Sequence, residues 1–147
     1  MRCQSLVTVC SILLIPVFTG CSKLRRALTT PWSLAIHGPK EIQRRQCVSY
    51  EVKAYNLKGQ LATSSNPIGL KLRGASRGKF FADADCSAEM GEFAIAPETS
   101  AVRFYFKDDV SELLLLVADG GGLTPGILPA YVNKKSTGNP GSLDLSF

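Results

Sequence analysis

The feature that most constrains the fold of this chain is an alternation of apolar and polar residues with a period of two, which begins at Trp32. Such alternation is typical of β-strands with one buried face, because successive side chains of a strand point to opposite sides. Gly, Pro, Asn, Asp and Ser separate the segments, as they do in turns. With no long helical period, the pattern predicts an all-β chain folded as a β-sandwich of about seven strands. The expected strands are residues 32–36, 48–54, 68–72, 80–81, 93–95, 102–107 and 113–118.

The first twenty residues differ from the rest of the chain. Arg2 supplies a positive start, Leu6 to Val17 is largely apolar, and small residues follow. This is the three-part layout of a secretory signal peptide. A membrane-spanning helix needs about 20 apolar residues, and this run is shorter and contains Pro16. The sequence therefore predicts a signal peptide over residues 1–20.

The end of that segment resembles the lipobox of bacterial lipoproteins. Thr19, Gly20 and Cys21 fit the lipobox, whereas Phe18 stands where that motif usually has Leu. The resemblance implies that Cys21 becomes the first mature residue and carries a diacylglycerol thioether and an amide-linked chain such as palmitate. Two or three acyl chains anchor a protein stably to a membrane. The alternative is an ordinary signal peptide followed by an incidental cysteine.

Residues 21–31 form a short polar and basic stretch, which predicts a tether between the anchor and the domain. Lys23, Arg25 and Arg26 would lie near anionic headgroups, each contributing about 1 kcal/mol. A simple solvated linker is equally compatible with this composition. Ser22 follows the cysteine where an Asp would resemble the inner-membrane retention signal of many Gram-negative lipoproteins. The expected location is thus the bacterial cell envelope, lipid-anchored at the outer membrane.

The five cysteines divide by position. Cys3 and Cys10 belong to the signal peptide and Cys21 takes the lipid, so Cys47 and Cys86 remain in an exported protein. In an oxidising compartment these two can pair as a disulfide. Two unpaired buried thiols are the alternative, and zinc is disfavoured because no CxxC or neighbouring His supplies further ligands.

Five pieces of the chain, in order, resemble the disulfide-bearing bacterial immunoglobulin-like repeats related to invasin and intimin. They are Cys47-Val48, the turn from Asn56 to Gln60, Gly78 to Cys86, Ile95 to Glu98, and Phe104 to Asp108. The resemblance implies an immunoglobulin-like β-sandwich over residues 32–118 and a bridge between the two cysteines. It also implies a non-catalytic binding or structural module that takes a protein or glycan ligand.

Candidate chemical residues are few. His37 is the only histidine and lies beside Gly-Pro in a predicted turn, so no catalytic His arrangement is indicated. Asp83, Asp85, Asp108 and Asp109 lie in two strand-end turns that could hold Ca²⁺, although Asx turns explain them more simply. The sequence thus predicts no enzyme, no metal and no cofactor.

Aromatic residues and net charge complete this picture. Trp32, Tyr50 and Phe104 could form a binding stripe, but their parity within the predicted strands favours the core. The net charge is +5 with Lys and Arg scattered along the chain, which gives no basic stripe for nucleic acid.

After Ala118 the composition shifts toward Gly and Pro, and residues 119–147 are predicted to form a flexible tail. Leu143, Leu145 and Phe147 alternate near its end. They could instead add a strand to a sheet edge of this domain or of a partner. In that alternative the protein is an accessory subunit that docks onto an envelope complex through its C-terminal tail.

Overall fold

The computed structural model describes residues 28–74 and 77–133. No helix in these ranges is long and apolar enough to cross a bilayer. The regular elements of the described residues are nine strands: β1 (Ser33–His37), β2 (Glu41–Gln43), β3 (Val48–Tyr55), β4 (Ile68–Arg73), β5 (Lys79–Phe81), β6 (Glu92–Ile95), β7 (Ala101–Lys107), β8 (Leu113–Asp119) and β9 (Gly126–Asn133).

The strands form two sheets, with the orders β1-β3-β7-β5 and β2-β9-β8-β4-β6. All pairs of neighbouring strands are antiparallel except β2 and β9, which are parallel. The first sheet has the A-B-E-D order of immunoglobulin domains, and β9-β8-β4 has the G-F-C order of the opposing sheet. The fold is therefore an immunoglobulin-like β-sandwich, as predicted, with β6 added beside β4.

The inward residues of both sheets fill the core, as the period of two predicts. Tyr50 stacks on Phe104 with ring centroids 5.5 Å apart, and Phe106 meets the Tyr50 ring edge-on at 6.4 Å. Opposite them the second sheet contributes aliphatic residues, including Leu116 and Val132. Aromatic pairs at these separations add about 0.5–1.5 kcal/mol beyond the burial of their area.

The first strand changes sheets through a kink at Gly38-Pro39. β1 pairs with β3 in one sheet, and after three residues β2 pairs with β9 in the other. The Tyr50 ring fills the space beside Gly38, where a Cβ would collide with it, and its hydroxyl donates to the Pro39 carbonyl at 3.0 Å. Burial raises the pKa of Tyr50 to about 12. Glycine is required at this crossing because the ring occupies the position of any side chain.

All seven predicted strands are present, but the predicted domain boundary at Ala118 is wrong. β8 ends at Asp119, and β9 places Leu128, Ala130 and Val132 in the core. Residues 119–133 therefore belong to the sandwich rather than to a tail. Residues 134–147, including the alternating Leu143, Leu145 and Phe147, lie outside the described residues.

A tight turn makes this last strand possible. The Leu123 N–H donates to the Gly120 carbonyl, and Gly121 and Gly122 both have positive φ, at 61° and 69°. Two consecutive positive φ values define a type I′ turn, whose twist matches that of paired strands and which glycine tolerates best. The Gly-rich segment thus reverses the chain between β8 and β9.

Candidate functional site

The predicted lipid site lies outside the described residues. Residues 1–27 contain the predicted signal peptide, Cys21 and most of the tether, so lipidation of Cys21 stays a prediction. The end of the tether is described, and it is attached to the sandwich. The Asn56 side-chain amide donates to the Leu28 carbonyl at 2.8 Å, while its Oδ1 accepts the N–H groups of Lys58 and Gln60. One buried asparagine therefore shapes the turn after β3 and fastens the incoming chain to it.

Cys47 and Cys86 form a disulfide, with an S–S distance of 2.05 Å and Cα atoms 5.8 Å apart. Cys47 immediately precedes β3, and Cys86 lies in the loop between β5 and β6. The bond fastens this loop beside the start of a central strand. A crosslink of this span restricts the unfolded chain more than the folded one.

Asp83 organises the same loop. Its carboxylate accepts from the Ser87 N–H, the Ser87 hydroxyl and the Ala88 N–H, the last at 2.7 Å. These hydrogen bonds, led by that from Ala88, lower the pKa of Asp83 to about 2. The carboxylate is thus occupied by the loop itself.

Among the remaining acidic candidates, Asp85 is exposed in the loop between β5 and β6, and Asp108 and Asp109 follow the end of β7. Asp108 is buried, and its Oδ1 accepts the Val110 N–H at 2.8 Å, which makes an Asx turn at the end of β7. Asp109 is exposed and pairs loosely with Arg45 at 3.7 Å. Within residues 28–74 and 77–133, no three His, Cys, Asp or Glu side chains converge as a metal site would require. The four aspartates predicted as a possible Ca²⁺ site do not form one.

The predicted aromatic stripe divides between core and surface. Tyr50 and Phe104 are buried, as their parity predicted. Trp32 lies just before β1 and is 53% exposed, so the prediction that it starts a buried strand face is wrong. His37 is exposed and its Nε2 lies 3.0 Å from the Tyr55 hydroxyl. This described hydrogen bond joins His37 to a tyrosine and not to the carboxylate of a Ser-His-Asp arrangement.

The main surface feature that the sequence did not reveal is an apolar face on the outside of the five-stranded sheet. Leu113, Leu115 and Ile127 are 77%, 51% and 58% exposed, and Tyr131 is 46% exposed. Cross-strand pairing joins these residues with Val117 and Pro129 into one patch, since the pairs are Leu113↔Tyr131, Leu115↔Pro129 and Val117↔Ile127. We call these six residues the β8–β9 face.

Polar residues border the β8–β9 face on both sides. Glu41 of β2 is in register with Tyr131, and Arg73 of β4 is in register with Val117. Arg73 pairs with Asp119 at 3.2 Å. An exposed apolar patch with a polar rim is the usual composition of a surface that meets another macromolecule.

Pro129 lies within β9, although proline has no N–H to donate to a neighbouring strand. The N–H of Tyr131, two residues further on, donates to the Lys40 carbonyl on the side of β9 away from β8. The ring nitrogen of Pro129 faces the same way, before β2 begins its pairing at Tyr131. No strand hydrogen bond is lost there, so proline is tolerated.

Comparison with known proteins supports the fold and goes no further. No protein-family model and no curated protein matches the chain. Among solved structures, it is similar to a β-glucuronidase from glycoside hydrolase family 2, with a TM-score of 0.58 and 11% identity over 76% of this chain and 12% of that one. It is also similar to a glycosyl hydrolase family 2 member from Bacteroides cellulosilyticus, with a TM-score of 0.57 and 9% identity over 73% of this chain and 15% of that one. For a β-glycosidase from Bacteroides vulgatus, the TM-score is 0.56 and the identity 11%, over 70% of this chain and 14% of that one.

The chain thus spans only 12% to 15% of the length of these glycosidases. The likeness concerns a single sandwich within much larger chains. Because one sandwich fold serves many unrelated functions, the activities of those enzymes do not transfer with it. The class defined by the fold is an immunoglobulin-like β-sandwich domain.

Proposed function

We propose that this protein is a lipid-anchored lipoprotein of the bacterial outer membrane whose immunoglobulin-like domain is a non-catalytic binding or structural module. Export and anchoring are supported by the apolar segment before Thr19-Gly20-Cys21. The disulfide supports export as well, since structural disulfides persist mainly outside the cytosol. The Cys21 acyl chains attach the domain to the membrane.

The observation that carries the binding role is the β8–β9 face. Its six apolar residues lie on a strand pair and form an open surface rather than an enclosed cavity. Such a surface suits the apolar side chains of a protein better than a glycan, because sugar hydroxyls need hydrogen-bond partners and, of these six side chains, Tyr131 alone carries a hydrogen-bonding group. The ligand class is therefore a protein of the envelope.

A photo-crosslinking experiment tests both halves of the proposal. The full-length protein is expressed in a Gram-negative host with a photoreactive residue at position 115 or, as a matched control, at position 61. Leu115 and Leu61 are comparably exposed, at 51% and 55%, but lie on different surfaces. A discrete protein adduct should form from position 115 and not from position 61, and Leu115→Asp should remove the partner from the purified complex.

The anchor has its own test in the same cells. Labelled palmitate should enter the wild-type protein and be absent from Cys21→Ala. Equal labelling of the two proteins would contradict the lipid anchor. Identical adducts from positions 115 and 61, or none at position 115, would contradict the binding role of the β8–β9 face. An adduct of twice the protein's mass would identify the partner as a second copy.

A shortened protein distinguishes this function from the alternative, in which Leu143, Leu145 and Phe147 dock onto a partner. A protein that ends at Asn133 keeps every described strand. If the β8–β9 face binds the partner, this protein still captures it. If the C-terminal segment binds the partner, capture is lost although the domain is folded, and a peptide of residues 141–147 competes with the full-length protein.

A further inference from the structure

We infer that the end of the sandwich at which the N-terminal segment enters docks on the bilayer surface, with Trp32, Leu57 and Leu61 entering the interfacial layer. This inference rests on the proposed lipid anchor at Cys21. It adds a second membrane contact, made by the folded domain itself, and it gives the domain a defined orientation on the membrane.

The backbones of the three residues lie close to Tyr55, the last residue of β3. The Trp32 N–H donates to the Tyr55 carbonyl at 2.7 Å, and Leu61 forms a β-bridge with Tyr55. Leu57 follows Tyr55 by two residues, in the turn that Asn56 organises. Trp32 is 53% exposed, Leu57 48% and Leu61 55%. We call these three residues the tether-end cluster.

The turn that presents Leu57 has a fixed conformation. The Asn56 carboxamide oxygen accepts two backbone N–H groups, the Gly59 N–H donates to the Asn56 carbonyl at 3.0 Å, and Gly59 adopts a φ of 72° that favours glycine. A fixed turn loses little conformational entropy when its side chains enter another phase. The exposed leucines are thus already arranged for contact.

The position of the proposed anchor indicates that the membrane is what contacts the tether-end cluster. Leu28, whose carbonyl is held by Asn56, is seven residues after Cys21 in the sequence. Seven residues span at most about 25 Å, at 3.3–3.6 Å per residue. An acylated Cys21 sits at the headgroup level, so Leu28, which is held by the Asn56 turn beside the tether-end cluster, cannot move further than this from the lipid surface. The membrane is therefore present near this end at a high effective concentration.

The chemistry of the cluster matches that surface. Tryptophan is enriched at membrane interfaces, where its ring is amphipathic, and leucine favours the acyl boundary. Lys58, between the two leucines in the chain, is exposed and can extend its ammonium group toward phosphates.

The tryptophan also supplies the assay, because Trp32 is the only tryptophan of the chain. The acylated full-length protein is reconstituted into vesicles of phosphatidylethanolamine and phosphatidylglycerol, with or without lipids brominated near the headgroup. We expect the Trp32 emission to shift to the blue and to be quenched by the brominated lipids. The double variant Leu57→Asp/Leu61→Asp should lose most of the shift and the quenching. Leu115→Asp, an exposed leucine of the β8–β9 face, is the matched control and should retain both.

Flotation of the same vesicles separates failure of this inference from failure of the anchor. If the wild-type protein floats with the vesicles but Trp32 is not quenched, the domain does not dock and this inference is overturned while the anchor stands. If the protein does not float, the anchor itself is wrong. Equal loss of quenching in Leu115→Asp, or a blue shift that grows with protein density at constant lipid, would also overturn the inference. The latter result would assign the cluster to contact between copies of the chain.

Discussion

Removal of β9 should unfold the domain. We compare a protein that ends at Asp119 with one that ends at Asn133, both carrying Cys21→Ser so that neither is acylated. The shorter protein lacks Leu128, Ala130 and Val132, which are 8%, 2% and 0% exposed. Full burial contributes about 1.5–3 kcal/mol for each of Leu and Val and about 0.8 kcal/mol for the Ala methyl group. The three side chains together therefore account for about 4–7 kcal/mol, against a total of about 5–15 kcal/mol for a typical domain.

Loss of the backbone pairing adds to this cost. β9 is in register with β8 from Leu113↔Tyr131 to Ala118↔Gly126 and also pairs with β2, so its removal exposes two strands. Thermal unfolding followed by circular dichroism should show a cooperative transition for the protein ending at Asn133 and none for the one ending at Asp119. Since 1 kcal/mol shifts the Tm of such a domain by roughly 4–8 °C, a cooperative transition within about 10 °C of the longer protein would refute the reasoning.

Three further predictions concern the disulfide, the kink and the loop carboxylate. Cys86→Ser should lower the free energy of unfolding by about 4 kcal/mol in urea titrations, since the bond to Cys47 closes a loop with a separation of 39 residues; an unchanged midpoint would contradict this. Gly38→Ala should cost about 1–3 kcal/mol by overpacking against Tyr50, and most of that cost should vanish in a Tyr50→Leu background. Equal costs in the two backgrounds would show that the ring is not the cause. The pKa of Asp83 is lowered to about 2, so its loop contacts are complete above its ordinary pKa of 3.8 and are lost as the pH falls through 2. An NMR titration of its carboxyl carbon should therefore have its midpoint near 2, and a midpoint near the ordinary value would contradict the hydrogen bonds described.

The strands that the sequence predicts correctly are those with one buried and one polar face. In β3, buried Tyr50, Val52 and Ala54 alternate with more exposed polar residues, and the pattern is visible without a structure. The fold class follows from several such strands. β2 is too short to show the pattern, and only its middle residue, Ile42, is buried. Its pairing depends on the kink that brings it beside β9, which no local pattern encodes.

The sequences of β8 and β9 lack this alternation of apolar and polar residues. Both of their faces are apolar, so the alternation between buried and exposed residues is invisible in the sequence. Leu113–Ala118 reads as a fully buried strand, although Leu113 and Leu115 face outward. In β9, Gly126 and Pro129 conceal a strand that tertiary contacts stabilise. The Gly-rich turn was the available signal, because adjacent glycines after an apolar strand favour a hairpin.

The candidate sites differ in the same way. The cysteine count was enough to predict a disulfide between Cys47 and Cys86, because that prediction needs only the reactivity of thiols and an oxidising compartment. The β8–β9 face could not be predicted, since exposure depends on which side of a sheet the second layer covers. The tether-end cluster was hidden because Trp32 shares the parity of buried Leu34 yet lies beyond the end of the core.

The parallel pairing of β2 with β9 determines how the domain responds to a pulling force. Near the start of β9, the Thr124 N–H donates to the Trp32 carbonyl and the Leu34 N–H donates to the Thr124 carbonyl, whereas β2 pairs at the far end, up to Asn133. The chain therefore enters at one end of the sandwich, and β9 runs toward the other. If the proposed anchor at Cys21 holds the N-terminal end, tension between that end and a point beyond Asn133 would run along these strands. Their hydrogen bonds would then be sheared together instead of breaking one after another. Shear of this kind favours mechanical resistance along the line from the N-terminal end of the sandwich to Asn133.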